Sequence, residues 1–201
     1  MDCKTVSISI PQKYYTLGNK ENPAVLILHG YGQNGQDFIQ EFDYLKHKYY
    51  LICPNAPNAF YAKKTFGAVG YNWMTKENRS EAIEVYLNYL EEILKVESIE
   101  TPIIIIGFSQ GSQTAYRFAH RHNKVRLLIG MSGLICPEIE ISFYKTKSII
   151  CYDPLDPFLV NNNWEVISAS YAVNPHIKLV QHNNKHQVYH PVIQQALLEN
   201  Q

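Results

Sequence analysis

Three groups of residues in this chain could do nucleophilic chemistry together. The first is Gly107-Phe108-Ser109-Gln110-Gly111, a serine set between two glycines where four consecutive isoleucines run into a helical pattern. A tight strand-to-helix turn strains the backbone of the residue at its apex. Side chains two positions before and two after would collide there, so glycine is required at 107 and 111. The turn pushes the Ser109 hydroxyl out beyond the end of the strand, where the first amides of the helix also point. The plain alternative is a turn serine that only caps its helix. The four-isoleucine strand before it favours a nucleophile.

A nucleophilic serine needs a base, an orienting acid and donors for a developing oxyanion. The order expected after such a turn is Ser, then Asp or Glu, then His. The donors are expected from Leu28-His29-Gly30-Tyr31-Gly32, whose glycines let the backbone bend sharply after an apolar strand. The amides of Tyr31 and Gln110 are the candidate pair. His29 precedes the serine in the chain and is expected to be structural. The acid is expected in "CYDPLDPFLV" (151–160), where Asp153 and Asp156 both qualify. Asp before Pro is also a common turn residue, which would account for the other one. The base is expected among His182, His186 and His190. His182 falls on the last strand and His190 at the start of the last helix. His186 lies in the loop between and is favoured, with His190 the second choice. Imidazole suits the role because its charge changes near neutral pH.

The elements that must position these residues are legible as alternating patterns. Apolar runs bounded by Gly, Pro and Asn occur at 24–30, 49–57, 102–109, 125–133, 147–154 and 176–182. Strands this apolar are covered on both faces, as in a parallel sheet. Residues 4–12 ("KTVSISIPQ") alternate and predict a half-exposed edge strand. Helices are predicted at 78–96, 110–122, 162–172 and 191–198. Asn78 with Glu81 offers a capping pair, and Pro191 a first-turn proline. Repeated β-α-β units predict a mostly parallel central sheet with helices on both faces. The 201 residues fit one α/β domain spanning 1–201. The stretch 58–76 is long for a plain connection and carries Phe60, Tyr61, Phe66, Tyr71 and Trp73. Phe60, Phe66 and Trp73 are candidates to line an apolar substrate pocket; the alternative is that these rings pack the loop onto the sheet.

Lys+Arg and Asp+Glu balance at 18 each, and the lysines are scattered, which points away from nucleic acid. No apolar run approaches the length of a membrane span, and the first residues lack the basic start and apolar core of a signal peptide. A cytoplasmic location without stable membrane insertion is expected. Cys3, Cys53, Cys136 and Cys151 form no CxxC pair, so reduced, buried thiols are expected rather than a metal site.

Taken together, "LHGYGQNGQDF" (28–38), "GFSQGS" (107–112), "CYDPLDPFLV" and the terminal histidine loop resemble the carboxylesterase/phospholipase family of α/β-hydrolases, which includes the acyl-protein thioesterases. The resemblance runs from about Ala24 onward. In that family a Cys-His-Gly-x-x-Asp-Pro run follows the strand, and its Asp before Pro is catalytic; the matching residue here is Asp156. The family histidine precedes the terminal helix at a distance that matches His186. Three departures stand out. Tyr152-Asp153 replaces His-Gly, Ser112 replaces a second glycine after the elbow, and no glycine closely precedes His186. The resemblance implies an α/β-hydrolase fold and a Ser109–Asp156–His186 hydrolase. The implied substrate is a small-molecule ester or an acylated one, with no cofactor required. The competing readings are a hydrolase-fold protein that binds without catalysis, and a lysophospholipase or peptidase on the same fold.

Overall fold

Residues 103–106 are all isoleucine, and successive side chains of a strand point to opposite faces, so this strand needs cover on both sides. The computed structural model describes every residue except 3, 7, 63–65 and 201, and it supplies that cover. Among the described residues the strands are β1 (Tyr14–Leu17), β2 (Ala24–Leu28), β3 (Tyr50–Pro54), β4 (Asn58–Tyr61), β5 (Val69–Asn72), β6 (Ile103–Phe108), β7 (Val125–Met131), β8 (Ser148–Tyr152) and β9 (Ile177–Gln181). The helices are α1 (Gly35–Gln40), α2 (Arg79–Val96), α3 (Gln110–Arg121), α4 (Pro157–Val160), α5 (Trp164–Ala172) and α6 (His190–Leu198).

Seven strands form one sheet in the order β1-β3-β2-β6-β7-β8-β9. β1 runs antiparallel to β3, and every other neighbouring pair is parallel. β4 and β5 form a separate antiparallel hairpin. Side-chain alternation sorts the core into two layers. Leu26, Leu28, Ile103 and Ile105 pack beneath α2, α3 and α5, with Leu90, Ala115, Phe118 and Trp164. Val25, Ile27, Ile104 and Ile106 pack beneath α1 and α6, with Phe38, Ile39, Ile193 and Leu197. This is the α/β-hydrolase arrangement, and β6 lies in its middle, where both faces are fully covered.

Several expectations need correction. The edge strand is β1, not residues 4–12, whose described members adopt no strand and leave Val6, Ile8 and Ile10 exposed. An alternating pattern makes a strand only where a partner offers free backbone groups, and β1 already occupies the open edge of β3. Asn78 does precede α2, but it is left-handed (φ 46°) and its side chain makes no capping bond. The hairpin β4–β5 and the short helices α1 and α4 were not anticipated. Cys53, Cys136 and Cys151 are buried free thiols; burial pushes Cys136 and Cys151 up to about 12. Cys3 lies outside the described residues. No helix among the described residues is long and apolar enough to cross a membrane.

The edge is anchored by one carboxylate. Glu97, just past α2, accepts hydrogen bonds from the phenols of Tyr14 in β1 (2.7 Å) and Tyr50 in β3 (2.9 Å), and pairs with Lys20 at 3.1 Å. Burial opposes its ionisation, but these three partners outweigh that and hold the carboxyl below its ordinary value. A depressed folded value means that the stabilisation is complete above the unfolded carboxyl's pKa and is lost as pH falls below it. Glu97→Gln should therefore lower stability at pH 7 by about 1–3 kcal/mol and flatten the acid limb of the stability profile, as read by urea unfolding across pH.

Candidate active site

The buried run of β6 ends at Phe108, and the chain turns at once into α3. Ser109 at the joint has φ 53° and ψ −117°, a region that side-chain-bearing residues rarely enter. Its neighbours make the turn possible. A Cβ on Gly107 would sit 2.7 Å from the Gly111 carbonyl oxygen, and one on Gly111 would sit 2.1 Å from the Leu28 carbonyl oxygen. The first contact is within the turn, as the spacing predicts; the second is with the neighbouring strand β2. Ser112 fills the place of a second glycine. Its hydroxyl is buried among the Gly107 carbonyl (2.8 Å), the Met131 carbonyl (2.9 Å) and the Met131 amide (3.0 Å), and it stitches β6, α3 and β7 together. Its Cβ uses the space left by Gly133, where an added Cβ would meet it at 2.5 Å.

The Ser109 hydroxyl faces His186 Nε2 at 3.0 Å. The other ring nitrogen, Nδ1, lies 2.8 Å and 3.0 Å from the two carboxylate oxygens of Asp156. A carboxylate only accepts, so Nδ1 carries the proton and Nε2 is left to accept from the serine. Asp156 is fully buried and caps α4 through an Oδ1 contact with the Phe158 amide at 2.9 Å. That cap fixes the carboxylate plane. The rings of Phe108 and Phe158 flank the imidazole, with centroids 5.2 Å and 6.1 Å away.

The other candidates go elsewhere. Asp153 accepts from the Leu155 amide (2.8 Å) and from the Lys185 amide (2.6 Å), and does not reach the imidazole. His190 starts α6 and turns to the Tyr44 hydroxyl at 3.1 Å. His182 follows β9, stacks on Tyr189 and accepts from the Asn184 amide.

The glycine loop after β2 abuts the elbow. Among the described residues, neither the Tyr31 amide nor the Gln110 amide donates a hydrogen bond within the protein. Their neighbours are engaged: Gly30 donates to the Gln33 side chain (2.7 Å) and Gly32 to the Tyr71 carbonyl (2.9 Å). Unengaged amides, one at a helix N-terminus and one on the loop packed against it, can stabilise negative charge. The Gln110 side chain is fixed as well. It accepts from the Trp73 amide (2.9 Å) and donates to the Met74 carbonyl (2.8 Å).

Trp73 corrects the substrate-lining expectation. Its indole is fully buried against Tyr86 and His29, and its N–H donates to the His29 carbonyl at 2.9 Å. It is a bridge between the glycine loop and the elbow. Phe60 is half-buried and packs on the exposed Tyr31 ring, while Phe66 is exposed and pairs with Tyr61. The roles of Gln33, the Gln110 side chain and Phe158 were not anticipated. Of these, only Phe158 carried a sequence signal, since an Asp-Pro pair before an apolar run marks a helix start.

Comparison with known proteins follows the same outline. The family described as Phospholipase/Carboxylesterase matches residues 16–157, a span that holds Tyr31, Ser109 and Asp156 and stops before His186. The structure of acyl-protein thioesterase 2 from Zea mays is similar with a TM-score of 0.70 at 17% identity, over 94% of this chain and 98% of that one. The Bacillus cereus carboxylesterase gives 0.66 at 15% identity, over 92% and 91%. The phospholipase/carboxylesterase of Dyadobacter fermentans gives 0.64 at 21% identity, over 98% of each. At these identities the likeness is one of fold. An uncharacterized protein of Mycobacterium tuberculosis is 24% identical over 123 residues, 60% of this chain. The chain spans about a third of the length of the curated relatives it matches.

His29 yields a pH prediction. Its Nδ1 donates to the Gly30 carbonyl (2.7 Å) and its Nε2 accepts from the Ala56 amide (3.1 Å), so the neutral ring joins the loops after β2 and β3. Burial lowers its pKa from 6.5 to about 4. The unfolded chain takes up this proton first, so stability is intact above pH 6.5 and drains as pH falls toward 4. The shift corresponds to about 3 kcal/mol. Urea unfolding of His29→Gln should show a less stable protein at pH 7 whose stability changes little across that window.

Proposed function

The chain belongs to the phospholipase/carboxylesterase family, and on that premise we propose that it is a serine hydrolase. It cleaves carboxylic esters or thioesters with an apolar acyl group. The observation that carries this reading is the unbroken line of contacts from the Ser109 hydroxyl through His186 to the buried Asp156 carboxylate. His186 Nε2 takes the hydroxyl proton as the Ser109 oxygen attacks the acyl carbonyl carbon. The tetrahedral oxyanion is held by the Tyr31 and Gln110 amides. Asp156 keeps Nδ1 protonated and stabilises the imidazolium that forms. The ring then gives its proton to the departing alcohol or thiol. A water molecule repeats the sequence on the acyl-enzyme and releases the acid. Every atom that moves belongs to serine, imidazole, substrate or water.

The apolar preference is supported by the rings beside the serine. Phe108 and Phe158 flank the imidazole, and Tyr31, on the loop that carries one oxyanion amide, packs its ring against Phe60 of β4.

Ser109→Ala should abolish both labelling by a fluorophosphonate probe and hydrolysis of p-nitrophenyl esters, with the fold retained by circular dichroism. Asp156→Asn should lower kcat by about 10⁴-fold, because the ring loses its tautomer and orientation. Wild-type protein that neither takes the probe nor turns over any ester would identify a binding protein and overturn the reading.

A further inference from the structure

We propose that Asp153 is a positioning residue whose buried carboxylate ties the loop carrying Asp156 to the loop carrying His186, and so holds the imidazole in register with Ser109. Asp153 is 3% exposed, and its two oxygens serve different segments. Oδ1 accepts from the Leu155 amide at 2.8 Å, and the Asp153 backbone carbonyl accepts from the Asp156 amide at 2.9 Å. These bonds close the turn that presents Asp156. Oδ2 reaches 32 positions along the chain to the Lys185 amide at 2.6 Å, immediately before His186. A turn residue needs only the first set. The second bond goes to the backbone of the histidine loop.

That loop has a reason to need holding. Lys185 has φ 52°, a left-handed conformation that a lysine adopts only under constraint. Two of the three departures from the family pattern, aspartate for glycine at 153 and no glycine ahead of His186, thus face each other across one short charge-assisted bond. Hydrogen bonds from the Leu155 and Lys185 amides hold the Asp153 carboxyl below its ordinary range, so it stays ionised at neutral pH. Without the tether Lys185 is free to leave the left-handed region, and His186 moves with it. The hydroxyl it faces sits on a rigid elbow and cannot follow.

The kinetic test rests on the hydrolase reading above. Asp153→Asn keeps one acceptor oxygen and loses the other. It should lower kcat by about 10²-fold, the cost of a displacement near 1 Å, while KM stays within about twofold. Fluorophosphonate labelling of Ser109 should slow in parallel. Asp153→Asn/Lys185→Gly should recover part of the lost kcat, because glycine takes this backbone conformation without strain. A purely structural aspartate would lower melting temperature without this kcat-selective loss or its rescue. Asp153→Glu, which keeps the charge and lengthens the reach, serves if the asparagine variant does not fold, and it should show the same kcat-selective loss. The proposal is overturned if the folded variants turn over at the wild-type rate, or if the glycine rescues nothing. Should wild-type protein hydrolyse no ester, the hydrolase reading fails separately. The tether is then read from the His186 Nδ1 proton resonance. It should be sharp and downfield in wild type and broadened or lost in Asp153→Asn; an unchanged resonance overturns the proposal.

Discussion

A serine held at φ 53° is the constraint on which the rest of the site depends. The conformation is costly for any side chain larger than hydrogen, by about 1–3 kcal/mol. It persists because the surroundings leave no alternative. The Ser109 amide donates to the Met131 carbonyl of β7 (2.8 Å), and its own carbonyl accepts from the Ser112 amide (3.0 Å). The start of α3 is pressed so closely on β2 that Gly111 has no room for a methyl group against the Leu28 carbonyl. One strand on each side of β6 therefore fixes the apex. The helix can begin nowhere else, and its first amide has no partner among the described residues.

The second amide depends on a different part of the chain. β5 gives one edge to β4 and the other to the glycine loop, through Gly32 to the Tyr71 carbonyl and Tyr71 to the Gln33 carbonyl, both at 2.9 Å. Two residues later the same segment binds the Gln110 side chain through the Trp73 amide and the Met74 carbonyl. Gln110 thereby completes the ladder in place of a peptide group. The hairpin is a bracket that fixes the Tyr31 loop and the elbow relative to each other. The 58–76 stretch has this role whatever its exposed rings meet.

How much of this was legible in the sequence follows from how local each signal is. The apolar runs read correctly as sheet strands because burial on both faces leaves no polar alternation to confuse them. The elbow was legible because glycine, serine and glycine lie within five residues and the steric reason for Gly107 is contained in the turn, although the one for Gly111 lies on β2. Residues 4–12 misled because alternation records what a strand could do, not whether a partner edge is free. The hairpin was hidden because β4 and β5 stand apart from the main sheet and mix asparagine, glycine and aromatic residues, with only four of their eight residues even partly buried. Asn78 had the right type for a cap but the wrong backbone. The contact between Asp156 and His186 joins loops 30 residues apart. It depends on β8 and β9 being neighbours, which no short window of sequence contains. The tie from Asp153 to Lys185 is equally remote.

The histidine follows the outermost strand on its side of the sheet. β9 pairs with β8 and closes the edge, and only Ile177 of its five residues is buried. β6 is covered on both faces and fully buried along its length. Free energies of opening are uneven within one molecule, lowest where few apolar contacts are lost. Ser109 and His186 thus belong to regions of very different cooperativity. As temperature rises, fraying of the β9 edge would displace the imidazole while the β6 core and its elbow remain folded. For the proposed hydrolase, thermal inactivation would then precede the loss of secondary structure and reverse on cooling, so that a melting curve and an activity curve describe two separate transitions.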